Sequence, residues 1–136
     1  MNQTKIDRLA GLLASGAGLL DFFSGFGLIS APQLMLRLLG VTEVFGDLVY
    51  LRFVGAFVAA VGFSYLWAIR RWKGDGDRAL LRATLEITII FRLASGAFVA
   101  WAILRGWLVP AWSVVTLADF VIVVAQGWLL ARGALR

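Results

Sequence analysis

The stretch from Leu81 to Leu108, LRATLEITIIFRLASGAFVAWAILRGWL, is long and apolar enough to cross a bilayer, yet it carries Glu86 and Arg92 in its interior. An arginine near the middle of such a run costs about 2.5 to 3.5 kcal/mol on insertion scales, so it normally faces a partner inside a bundle. Partners are available. Two other apolar runs each hold one aspartate near the middle, Asp21 and Asp119. The chain therefore reads as an all-α, integral membrane four-helix bundle closed around buried charges.

Composition agrees with that class. Hydrophobic residues make up 61% of the 136, charged residues 15%, and the mean hydropathy is +0.88, outside the range of ordinary soluble domains. With no cysteine and no histidine, disulfides, zinc sites, iron–sulfur clusters and ordinary haem ligation lose their usual ligands. No cofactor held by side chains is expected, and a lipid stays open as a ligand. The net charge of +5 comes from basic residues flanking apolar runs, not from a soluble patch, and this argues against nucleic-acid binding.

The first span runs from Leu9 to Ala31, 23 residues or about 34 Å of helix, too long for a secretory signal core. Gly11, Ala14, Gly18, Asp21 and Gly25 recur every three or four residues along one face, which should point into the bundle. Residues 32–40, PQLMLRLLG, are too short to span. They open on a proline and close on a glycine, which suits a short interfacial helix, with a loop packed on the bundle as the alternative. The second span is expected from Val44 to Ile69, with Arg52, Gly55, Ala59 and Gly62 on one face. An acidic turn, Gly74-Asp75-Gly76-Asp77, follows. It lacks the ligand spacing of a calcium loop, and Asp75 or Asp77 is expected to cap the third span. In that span Thr84, Thr88, Arg92, Ser95 and Gly96 share a stripe, while Glu86 sits one turn from Arg82. The fourth span, Pro110 to Ala131, aligns Thr116, Asp119 and Gln126. No separate soluble domain is distinguished, so residues 1–136 read as one four-span domain.

Orientation follows from the basic residues. Lys5, Arg8, Arg70, Arg71, Lys73, Arg78, Arg82, Arg132 and Arg136 fall on one side, against Arg37 and Arg105 on the other. Both termini are accordingly expected in the cytoplasm of a bacterium, with the chain in the inner membrane. Counted from the cytoplasmic ends, Asp21, Arg92 and Asp119 lie at a common depth of about 17 to 18 Å. Arg52 lies about 8 Å further out, within reach of the layer for a long side chain, and would balance the two aspartates with two arginines. Glu86 and Gln126 form a candidate second polar level, although Glu86 also reads as a surface partner of Arg82.

Such a layer supports two readings. It either binds a polar group or passes a proton or ion, or it is a bonded network that fixes helix order and register. The segments LRFVGAFVAAVGFSYLWA and LADFVIVVAQGWLL resemble small uncharacterised four-helix bacterial membrane proteins of the DoxX-like group. That resemblance implies an accessory role beside a quinone-linked redox complex. The favoured function is an accessory or structural small subunit of a larger membrane complex, in contact with lipids and with other subunits or copies of itself. A small proton- or ion-coupled transporter or channel, and a binder of a lipophilic ligand such as a quinone or lipid, stay open. No nucleophile and base set points to an enzyme.

Overall fold

The computed structural model describes residues 2–42 and 46–136. Among these residues the chain is helical throughout, with no strand: α1 (Gln3–Ser30), α2 (Pro32–Leu38), α3 (Leu48–Asp75), α4 (Arg78–Leu104) and α5 (Ser113–Ala131). Four helices, counting the 3-10 turn Pro110–Trp112 as the start of the last, are long and apolar enough to cross a membrane. The helices extend beyond the apolar runs at their charged ends. A bilayer limits apolar length, whereas a helix stops only where its hydrogen-bond ladder is capped or broken.

The caps explain the boundaries. Asp47 accepts a hydrogen bond from the Val49 amide at 2.9 Å and opens α3; the expected start of the span at Val44 lies outside the described residues. Gly76, at φ +73°, closes α3 in the left-handed region. Of the two candidate caps for the next helix, Asp77 takes the role by accepting from the Leu80 amide at 2.9 Å. Asp75 instead pairs with Arg71, one turn back, at 2.6 Å. The chain breaks at Ala31, and Pro32 opens α2, where it loses nothing by lacking an amide hydrogen. This short helix buries Leu36 and leaves Leu34, Arg37 and Leu38 exposed.

The long helices pack as two close pairs, α1 with α3 and α4 with α5, joined by lesser contacts of α3 with α4 and α1 with α5. The first pair depends on glycine. A Cβ on Gly62 would meet the Phe22 backbone and lie 2.7 Å from the Gly18 carbonyl oxygen, and one on Gly55 would lie 2.7 Å from the Gly25 oxygen. The contacts run in opposite order along the two helices, so α1 and α3 are antiparallel. Gly18 and Gly25 stand seven residues apart, as do Gly55 and Gly62, which keeps both contacts on one seam. Small residues are the usual means by which apolar helices approach closely enough to gain dispersion contacts.

Most buried apolar side chains lie in the half of the bundle that carries the termini, including Ile6, Ala10, Ala14, Ala68, Leu81, Leu85 and Leu129. The C-terminal tail completes this end. Gly133 at φ +84° turns the chain out of α5, and the Ala134 amide bonds back to the Leu129 carbonyl at 3.0 Å, a Schellman closure. Ala134 and Leu135 are then buried, and the Leu135 amide donates to the Asp7 carboxylate at 2.8 Å. Gln3 and Arg82 donate to the Gly133 and Ala134 carbonyls, at 2.9 and 3.0 Å.

Candidate functional site

The small-residue stripe of α1 points inward, since Gly11, Ala14, Gly18, Asp21 and Gly25 are all buried. It carries Asp21 into the interior. The α4 stripe does the same for Thr84, Thr88, Arg92 and Gly96, and α5 contributes Asp119 and Gln126; Ser95 stays exposed. Gly96 clears the way for Asp119, whose Cβ lies 3.7 Å from the point where a glycine Cβ would sit.

Arg92 stands between the two aspartates. Its Nη1 donates to Asp119 Oδ1 at 2.6 Å and its Nη2 donates to Asp21 Oδ2, so one guanidinium joins α4 to both α5 and α1. All three residues are more than nine-tenths buried. Away from water such contacts are the condition for holding the charges at all, because each one alone would face a large desolvation cost. The planar fork of arginine suits the task by presenting separate donors to two carboxylates at once.

A second polar level lies one helical turn along α4. Gln126 Nε2 donates to the Tyr65 hydroxyl, which donates to Thr88 Oγ1 at 2.7 Å, and Thr88 donates in turn to the Thr84 carbonyl at 2.7 Å. Tyr65 is fully buried, and its ring lies 5.9 Å from the Arg92 guanidinium carbon. The two levels therefore touch through one side chain. Tyr65 was not foreseen from the sequence, although its place on the inward stripe of the second span, three residues after Gly62, marks it.

Two of the expected members stand elsewhere. Arg52 is exposed and donates through Nη1 to the Ile29 carbonyl near the end of α1, so it does not join the charged layer. An orphan carbonyl in the last helical turn is a nearer partner for a long cation than a carboxylate deeper in the bundle. Glu86 is exposed too and pairs with Arg82 at 2.9 Å, leaving Gln126 to Tyr65 and Thr88. The buried cluster consequently holds two carboxylates against one guanidinium, not the balanced set of four expected from depth alone. Arg92 Nε and Gln126 Oε1 are buried without a hydrogen-bond partner among the described residues, a donor and an acceptor left over inside the polar core.

Comparison of the chain with protein-family models, with characterised proteins and with solved structures returns no match.

Proposed function

We propose that this chain is an accessory, structural subunit of a larger protein complex in the bacterial cytoplasmic membrane, with four spans and both termini on the cytoplasmic side. The observation that carries the reading is the double engagement of Arg92 by Asp21 and Asp119. A cation held by two carboxylates from different helices supports a role in fixing helix order and register, and Arg92 is more than nine-tenths buried, away from the surface. The outside is equally telling. Large apolar side chains such as Phe23, Phe53, Phe57, Phe98, Phe120 and Val121 are each at least half exposed, and in a membrane they would meet lipid or a partner's helices. The DoxX-like resemblance adds a quinone-linked redox complex as the candidate partner, and the basic asymmetry supports the orientation. On this reading α2 lies along the outer surface of the membrane, with Leu34 and Leu38 in lipid and Arg37 in water.

The test is gentle extraction of the tagged chain from native membranes, followed by identification of the proteins that travel with it. A stoichiometric membrane-protein partner, lost in an Arg92→Met variant, is the expected result. Recovery of the chain alone, at undiminished yield, would overturn the proposal.

The two-to-one charge ratio favours a second reading, a small proton- or cation-coupled transporter, because a second cation would complete the cluster. Purified protein in liposomes decides between them. Flux above that of protein-free vesicles, abolished by Asp119→Asn with folding retained, selects the transporter.

A further inference from the structure

At the end of the bundle that carries the termini, a cleft of about 530 Å³ opens between α1 and the junction of α3 with α4. Three cationic side chains line it, Arg8, Lys73 and Arg78, against one carboxylate, Asp7. That carboxylate is already occupied. Its Oδ1 accepts from Gln3 and from the Leu135 amide, and its Oδ2 faces Arg78 at 3.4 Å. Arg8 and Lys73 are exposed, and among the described residues neither makes an ion pair or a side-chain hydrogen bond. The wall is apolar and aromatic. The Trp72 ring packs on Gly11, where a Cβ would overlap it, and the cleft continues along α1 past Leu12 to Ser15. Thr4, Arg8, Leu12 and Ser15 follow at helical spacing over about 17 Å of helix rise, and one turn of it leads from the Arg8 cation to the Leu12 side chain.

We infer that this cleft binds the phosphate-bearing head of an anionic phospholipid, with Arg8 and Lys73 on the phosphate and an acyl chain along Leu12 and the Trp72 ring. Cations beside a tryptophan, at a height where an apolar wall begins, match an amphiphile whose charge and chain are joined at that level. A free phosphate would satisfy the cations but not the wall.

The inference rests on the membrane placement proposed above, and a separate observation checks that premise: the chain must stay with membranes after alkaline washing. The binding test uses detergent-purified full-length protein and native mass spectrometry with added phosphatidylglycerol, phosphatidylcholine or inorganic phosphate. Phosphatidylglycerol should be retained, and retained about thirtyfold more weakly by the Arg8→Gln/Lys73→Gln variant, the change expected on removing two cations beside a headgroup. Arg132→Gln, a basic residue outside the cleft, serves as the control and should leave retention unchanged. Unaltered retention in the double variant, equal retention of phosphatidylcholine, or an equal loss in Arg132→Gln would each overturn the assignment. Binding of inorganic phosphate as tight as that of the lipid would overturn the role of the apolar wall, and with it the phospholipid.

Discussion

The ring of Tyr65 lies 5.9 Å from the guanidinium of Arg92, while the Tyr65 hydroxyl sits 2.7 Å from Thr88, so one side chain of α3 supports the charged layer and closes the polar layer beside it. Four helices meet at these two levels. Arg92 ties α4 to α1 and α5, and Tyr65 ties α3 to α4 and α5. On the proposed membrane placement the apolar faces are interchangeable in lipid, where leucine gains little by choosing protein over an acyl chain, and polar contacts of this kind join the glycine seam in favouring one helix arrangement.

Removing Arg92 strands two carboxylates together. Arg92→Met should cost about 3 kcal/mol or more on the scale of broken buried ion pairs, read as earlier unfolding in a sodium dodecyl sulfate titration. Because both aspartates contact the guanidinium, Asp119→Asn alone should restore only part of the loss, and Asp21→Asn with Asp119→Asn should restore most of it. Strictly additive losses across this series would show that the three residues do not act as one cluster.

Tyr65→Phe removes the hydroxyl that links Gln126 to Thr88. A buried amide and a buried hydroxyl each lose a partner, for an expected loss of about 1 to 3 kcal/mol in the same titration. Replacing Gln126 by leucine in the Tyr65→Phe background should recover part of this, since no amide is then left unpaired. A double variant weaker than the sum of the two single changes would contradict the hydrogen-bonded chain.

The seam between α1 and α3 has no room for a methyl group at Gly62, whereas the space around Gly16 is open. Gly62→Ala should destabilise by about 1 to 3 kcal/mol through overpacking. Gly16→Ala, on an exposed face of the same pair, should be neutral or stabilising by roughly 0.5 to 1 kcal/mol, the usual gain in a helix interior. Equal responses at the two positions would remove the close approach as the reason for glycine.

Asp7 holds the C-terminal tail by accepting the Leu135 amide. Asp7→Ala should free residues 133–136 and raise tryptic cleavage after the exposed Arg132 about tenfold, equivalent to roughly 1.4 kcal/mol of local opening. Cleavage at the original rate would assign the tail's position to the burial of Ala134 and Leu135 and to the hydrogen bonds from Gln3 and Arg82.

The proposed topology is checked with single cysteines in this cysteine-free chain. Asn2→Cys, Thr42→Cys, Gly74→Cys and Arg136→Cys place thiols at four exposed positions. In intact cells an impermeant reagent should label only Thr42→Cys. Labelling of Gly74→Cys from outside would reverse the orientation.

Much of the architecture is legible in the residues themselves, for reasons of period and length. A 3.6-residue repeat of small residues places Asp21 on the same face as Gly18 and Gly25 whatever the tertiary structure, and the same count puts Thr88, Arg92 and Gly96 together. Equal distance from the basic ends then sets Asp21, Arg92 and Asp119 at one depth, because helical rise is constant. What period and depth leave open is azimuth and reach. Arg52 lies on the inward stripe by spacing, but its long side chain finds the Ile29 carbonyl at the close of the neighbouring helix, a contact that exists only once α1 and α3 are packed. Glu86 and Gln126 share a depth, yet they face different ways, one to Arg82 on the exposed surface, the other to a tyrosine whose partners come from two other helices. The tail's return to Asp7 is likewise invisible in the chain, since it joins positions 128 residues apart through a backbone amide that any residue would supply. Local periodicity determined which residues could be buried; the packing of one helix against another decided which of them meet.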